Sequence, residues 1–179
     1  GSEMCIRDSN NSVSTIQAVN AAIRQGHKVY PSQDGFIMDK ASLSQALDSY
    51  ALLARPLYKE PLGQALSLKK IYIPKDFQAW IGFKTLMDSQ LVTQSLGYDI
   101  VDSLEEADVL ILQNDQFTEN DLGKKPTIIV GGLAMDHLEK LGVISDFDAE
   151  MFKNGSANEG LFKAIINKNS NLSSGYALK

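Results

Sequence analysis

Short apolar runs, each stopped by a polar or glycine-rich edge, organise the chain from residue 70 onward. Lys70-Ile71-Tyr72-Ile73, Ala107-Asp108-Val109-Leu110-Ile111-Leu112 and Pro126-Thr127-Ile128-Ile129-Val130-Gly131-Gly132 read as strands. Tyr98-Asp99-Ile100-Val101 is a fourth strand, followed by a turn at Leu104-Glu105-Glu106. After the first run, Asp76 can cap a helix from about Gln78 to Leu96 that Gly97 closes. Trp80, Phe83, Met87 and Leu91 lie on one stripe of that helix, with Leu86 beside it. A short helical piece near Thr118 to Leu122 and a helix from Leu133 to Leu141, ended by Gly142, complete the pattern. Strand, helix, strand at these intervals implies right-handed crossovers and a parallel sheet. Past Asp146 only Leu161-Phe162-Lys163-Ala164-Ile165-Ile166 reads as a strand, and Asn167 to Lys179 reads as an unfinished continuation.

The first third has a different rhythm. Val13, Ile16, Val19, Ala22 and Ile23 share one face of a helix from Val13 to Gln25 that Gly26 stops. His27-Lys28-Val29-Tyr30 and Gly35-Phe36-Ile37-Met38 flank Pro31-Ser32-Gln33-Asp34, which predicts a hairpin or two edge strands. A second helix from Ser42 to Ala54 carries Leu43, Ala46, Leu47, Tyr50 and Leu53 on one face. Arg55-Pro56 breaks it and begins a connector, with a boundary expected between Pro61 and Leu68. The expected divisions are residues 1–9, a tail; 10–60, a small helix-strand linker piece; and 61–179, the α/β domain, truncated at its C-terminus.

With 179 residues and 44% apolar content, the chain holds enough material for one ordinary core and a small addition. The net charge of -5 disfavours nucleic acid, which needs a basic face. No run approaches the ~18 consecutive apolar residues of a membrane span. The single cysteine, Cys5, excludes an internal disulfide and a multi-cysteine metal site. It lies in Gly1-Ser2-Glu3-Met4-Cys5-Ile6-Arg7-Asp8-Ser9, which has no helical or strand period and resembles a translated sequencing adaptor at the end of a metagenomic reading frame. A disordered tail is the other reading, and either removes these residues from the fold.

In open parallel sheets ligands sit at the carboxyl ends of the strands. Those ends here carry Pro74-Lys75-Asp76, Gln113-Asn114-Asp115 and Gly131-Gly132-Leu133-Ala134, with no Cys, Ser or His in the last turn to act as nucleophile. Asn114, Asp115, Gly131 and Gly132 would line a site for a small anion or peptide, aided by the amides of a helix start. The competing explanation for the glycine pair is a turn that needs glycine for its backbone geometry. Asp99, Asp102, Glu105, Glu106, Asp108, Asp115, Glu119 and Asp121 form an acidic stretch without Lys or Arg. A calcium loop needs a glycine that Asn114 to Glu119 lacks, so a solvated rim is expected. Asp146, Asp148 and Glu150 would share a strand face but fall in an expected loop. His27 and His137, the only histidines, lack metal-ligand spacing, and His137 is expected to pack or face solvent. Trp80 and Phe83 read as core. Asn154-Gly155-Ser156 and Asn171-Leu172-Ser173 match the glycosylation pattern, which is short enough to arise by chance.

Ala18-Val19-Asn20-Ala21-Ala22-Ile23-Arg24-Gln25-Gly26-His27-Lys28-Val29-Tyr30, followed by Asp34-Gly35-Phe36-Ile37, resembles the segment after the catalytic domain of certain bacterial zinc carboxypeptidase-like proteins. In those proteins a class I glutamine amidotransferase-like domain follows. Lys70 to Ile73, the Trp80 helix, Gly97-Tyr98, Ala107 to Ile111 and Ile129 to Gly132 run in the order of that domain's elements, and Asn158 to Phe162 and Asn171 to Tyr176 resemble its closing strand and turn. The resemblance implies an α/β fold with a flavodoxin-like, mostly parallel sheet flanked by helices, preceded by a small α+β piece. It implies a non-catalytic accessory role that supports or packs on a missing catalytic domain, which would be the partner and would hold the zinc. No cofactor, catalytic residue or metal ligand is carried onto this chain. The amidotransferase cysteine would fall where this chain has Gly131-Gly132-Leu133-Ala134-Met135, which puts glutamine hydrolysis in doubt. The resemblance also implies export to the periplasm or beyond. The alternative from a different class is an independent small-ligand or protein-binding α/β module with no peptidase partner. A third reading is a stand-alone hydrolase or amidotransferase, with Asp76 and Asn114 as the residues whose alanine variants would test it.

Overall fold

A computed structural model describes residues 3–6, 12–32, 35–50, 52–57, 61, 63–74, 89–113, 115 and 117–145. Asp76, Trp80, Phe83, Leu86, Met87, Asn114, the Asp146–Glu150 carboxylates, Leu161–Ile166 and both glycosylation patterns lie outside them. The chain divides into two compact units after Leu68, with Ser95–Gly97 belonging to the first.

The first unit begins with strand β1 (Glu3–Ile6) and helix α1 (Val13–Arg24). Ser12 caps α1 by accepting the Thr15 N–H at 3.3 Å. A Schellman turn ends it: His27 N–H donates to Ala22 C=O and Gly26 N–H to Ile23 C=O. The buried face is Thr15, Ala18, Val19, Asn20 and Ala22. Val13, placed on the apolar face by spacing, is 58% exposed, whereas Thr15 in the same turn is buried.

Strands β2 (Val29–Ser32) and β3 (Gly35–Asp39) form the expected antiparallel hairpin, with Ser32 opposite Gly35. Helix α2 then runs Lys40–Ser49, shorter than the expected Ser42–Ala54. Asp39 starts it by accepting the Ser42 N–H at 2.8 Å and the Ser42 hydroxyl at 2.7 Å. Residues Ala54–Leu57 are strand β4, not helix or connector. Sheet order is β2-β3-β1-β4, so Pro56, which lacks an N–H, occupies an edge strand where one side needs no ladder bond. Val19, Ala22, Val29, Met38 and Leu43 make the core of this unit.

Glu3–Ile6 corrects the reading of residues 1–9 as an unstructured tail. It pairs antiparallel with both β3 and β4, Met4 lying opposite Met38 and Pro56. Backbone ladders on both sides order a short extended stretch without any hydrophobic period of its own.

The Asp39 cap has a pH signature. The Ser42 N–H and then the Ser42 hydroxyl hold its carboxyl below the usual value, with His27 adding to them. A folded value below the unfolded one means stability that is present above about pH 4 and lost as pH falls through the lowered value. Asp39→Asn is therefore expected to lower stability slightly at neutral pH and to flatten the acid limb. Urea melts followed by circular dichroism at neutral pH and at about pH 3 measure both; an unchanged acid limb would remove Asp39 from the account.

The second unit carries strands β5 (Lys70–Tyr72), β6 (Asp99–Val101), β7 (Val109–Leu112) and β8 (Thr127–Ile129). All three pairings are parallel and the order is β6-β5-β7-β8. Residues 89–95 are helical (α3), Glu119–Asp121 is a 3₁₀ turn, and α4 runs Gly132–Lys140. This unit is α/β with a parallel sheet, as the apolar runs predicted. Leu110 and Leu112 pack with Phe117, Ala134 and Leu138 on the α4 side. Ile71 and Ile73 pack with Tyr98, Ile100, Val109 and Ile111 on the other. Leu91, expected on the apolar stripe, is 57% exposed, whereas Thr93 is buried.

Candidate functional site

The strand order identifies where an open α/β sheet would take a ligand. From β5 the chain moves outward to β6, then returns past β5 to β7 and on to β8. The direction reverses between β5 and β7, and connections on either side of such a point cover opposite faces of the sheet. The carboxyl ends of β5 and β7 are therefore the geometric candidate. Ile73 and Pro74 follow β5 and Gln113 follows β7.

Gln113 is the informative residue there. It is 2% exposed, and among the described residues neither its Oε1 nor its Nε2 has a hydrogen-bond partner. A buried polar group left unpaired costs about 1–3 kcal/mol, so such groups are few in folded proteins and call for an explanation, whether strain, a functional role, or a water, ion or other molecule as partner. Leu110 and Leu112 face α4, so strand alternation sets Gln113 on the Val109 and Ile111 face, beside the Ile71–Ile73 cluster. The preceding ladder holds it in place: Leu112 C=O accepts the Val130 N–H at 2.8 Å.

The four residues singled out at the strand ends are not gathered into one cluster. Asn114 lies outside the described residues. Asp115 is exposed, and its charge acts on Lys140 in the last turn of α4, secondary to the Asp136–Lys140 ion pair at 2.6 Å. Gly131 and Gly132 stand at the opposite end of that helix. Gly131 caps it at φ 90°, a conformation that disfavours any side chain. Gly132 has an ordinary φ, and a Cβ there would meet nothing within 4 Å. The turn thus explains the first glycine and not the second.

Other candidates resolve into structural roles. Asp108 Oδ2 accepts the Lys70 N–H at 2.8 Å, and Asp108 N–H donates to Lys70 C=O, tying the starts of β5 and β7. Asp121 Oδ2 accepts from the Thr118 N–H and hydroxyl, closing the 3₁₀ turn. His137 Nε2 donates to Phe117 C=O at 2.7 Å, and the two rings meet edge-to-face at 4.8 Å. It packs the loop after β7 against α4, in line with its expected packing role. In the first unit, His27, Tyr30 and Asp39 border a cavity of about 290 Å³. The Asp39 carboxylate, 3.9 Å from His27 Nδ1, is already committed to capping α2. Among the described residues, no three His, Cys, Asp or Glu gather to hold a metal ion, and no helix is long and apolar enough to cross a membrane.

What fold and site define together is an α/β domain with an open parallel sheet and an unpaired buried carboxamide at its reversal point. No protein-family model, curated protein or solved structure matches the chain.

Sequence reasoning passed over Gln113 in favour of its neighbours. Its position directly after the Ala107–Leu112 run was visible, and a polar side chain continuing a buried strand is the signal that marks it.

Proposed function

We propose that the parallel-sheet unit is a binding module of the flavodoxin-like type that receives a small molecule at the reversal point between β5 and β7. The observation that carries this reading is Gln113, a fully buried carboxamide with two unpaired polar atoms at the sheet position where open α/β folds take their ligands. The strand order, second-first-third-fourth and parallel throughout, supports the flavodoxin-like assignment. Thermal melts of the full chain against a broad small-molecule panel test it. A ligand at ~100 times its Kd adds about 2.7 kcal/mol, and that gain should vanish in Gln113→Met. A flat response across the panel would remove the reading.

A second reading places this module beside the catalytic domain of a zinc carboxypeptidase-like peptidase, as a non-catalytic accessory piece in an exported protein. It is supported by the sequence β5, α3, β6, β7, β8 and α4, which follows the order the resemblance implies. The partner would then be that catalytic domain, which would supply the zinc and its ligands. Sequencing outward from the source locus tests it: metal-ligand motifs in frame ahead of residue 10 are expected, and a complete gene without them would end it. The two readings are compatible, since an accessory domain can also hold a ligand.

A further inference from the structure

We propose that Gln113 recognises a cis-amide edge: an N–H donor and a C=O acceptor side by side, as in a lactam, an imide, a primary carboxamide or an oxo-pyrimidine such as uracil. This rests on the reading of the β5/β7 reversal point as a ligand site and names what that site takes. The argument begins with the two unpaired atoms. Oε1 can only accept and Nε2 can only donate, and they lie on one edge of a planar group. One partner satisfies both only if it offers a donor and an acceptor on a matching edge, closing two parallel N–H···O bonds.

Other ligand classes fail this requirement. A carboxylate or phosphate would accept from Nε2 and set a negative charge against Oε1. An ammonium would donate to Oε1 and leave Nε2 unpaired. A trans peptide group carries its N–H and C=O on opposite edges, so it pairs with one atom and abandons the other. The surroundings point the same way. Ile73, at 1% exposure, and the half-buried Ile111 share this face of the sheet, and an unpaired charge taken into such a site is costly.

The test is a titration of the full-length chain by nuclear magnetic resonance, following the side-chain amide signals of Gln113. Their assignment comes from their loss in Gln113→Met, or in Gln113→Leu if the first variant does not fold. Uracil and 2-pyrrolidone are the cis-amide probes; N-methylacetamide, a trans amide, and acetate are the contrasts. Fragments of this size bind weakly, so concentrations run to roughly 50 mM. Saturable shifts of the Gln113 signals with uracil and 2-pyrrolidone, and none with the contrasts, are expected. Shifts that are equal for N-methylacetamide or acetate, or no shift with any probe, would overturn the proposal. The melting temperature of Gln113→Met separates this failure from that of the binding reading. A rise of about 2–4 °C means the amide is orphaned in the free protein and leaves the site standing. A fall means the amide has a partner within the chain, and both readings go.

Discussion

Leu112→Ala is expected to remove about 2–5 kcal/mol from the stability of the second unit. Leu112 is 0% exposed and packs with Leu110, Phe117, Ala134 and Leu138 between β7 and α4. Truncation withdraws three carbon atoms from a close-packed layer whose neighbours belong to a strand and a helix. Neither can move far enough to refill the space. Ile128, in β8 of the same sheet, is 51% exposed, and Ile128→Ala is expected to cost under about 1 kcal/mol. Urea denaturation of both variants at equal slope decides the matter. Comparable losses would mean that the core is not on the α4 side of β7.

Gly97→Ala carries the next largest effect, about 2–3 kcal/mol, from two additive sources. Gly97 adopts φ 84°, which costs an L side chain about 1–2 kcal/mol by itself. A Cβ at this position would also stand 3.2 Å from the Cβ of Asn20. That atom sits next to the α1 backbone and cannot swing aside. Asn20 is 4% exposed and donates through Nδ2 to Leu96 C=O at 2.7 Å. Gln17 and Arg24 donate to the carbonyls of Ser95 and Gly97 in the same manner, so three side chains along one face of α1 satisfy carbonyls that a helix end leaves unpaired. Gly26→Ala is the matched comparison, with φ 87° and open space around the new Cβ; it should show the backbone cost alone. The difference between the two melting temperatures measures the contact, and equal losses would show that Asn20 yields.

How much of this was legible depends on how local the cause is. Helix stops at Gly26, Gly97 and Gly142 were readable because a left-handed cap is a one-residue requirement. The hairpin around Pro31–Gly35, the turn at Leu104–Glu106 and the four parallel runs were readable for similar reasons. The shortened α2 was not. Its apolar spacing continues to Leu53, but Asp39 offers a better start and Ala54–Leu57 gains a strand partner instead. Burial was the least legible property: Leu91 and Ile128 are apolar and exposed, and Gln113 is polar and buried.

The amino-acid order alone set where strands and helices begin and stop, because caps, glycines and short apolar runs act within a few residues. Tertiary structure alone decided the order β6-β5-β7-β8, the insertion of Glu3–Ile6 between β3 and β4, and the burial of the Gln113 carboxamide without a partner among the described residues. Each depends on which distant backbone comes alongside, and a strand's hydrogen-bonding edges are the same whatever sequence they carry.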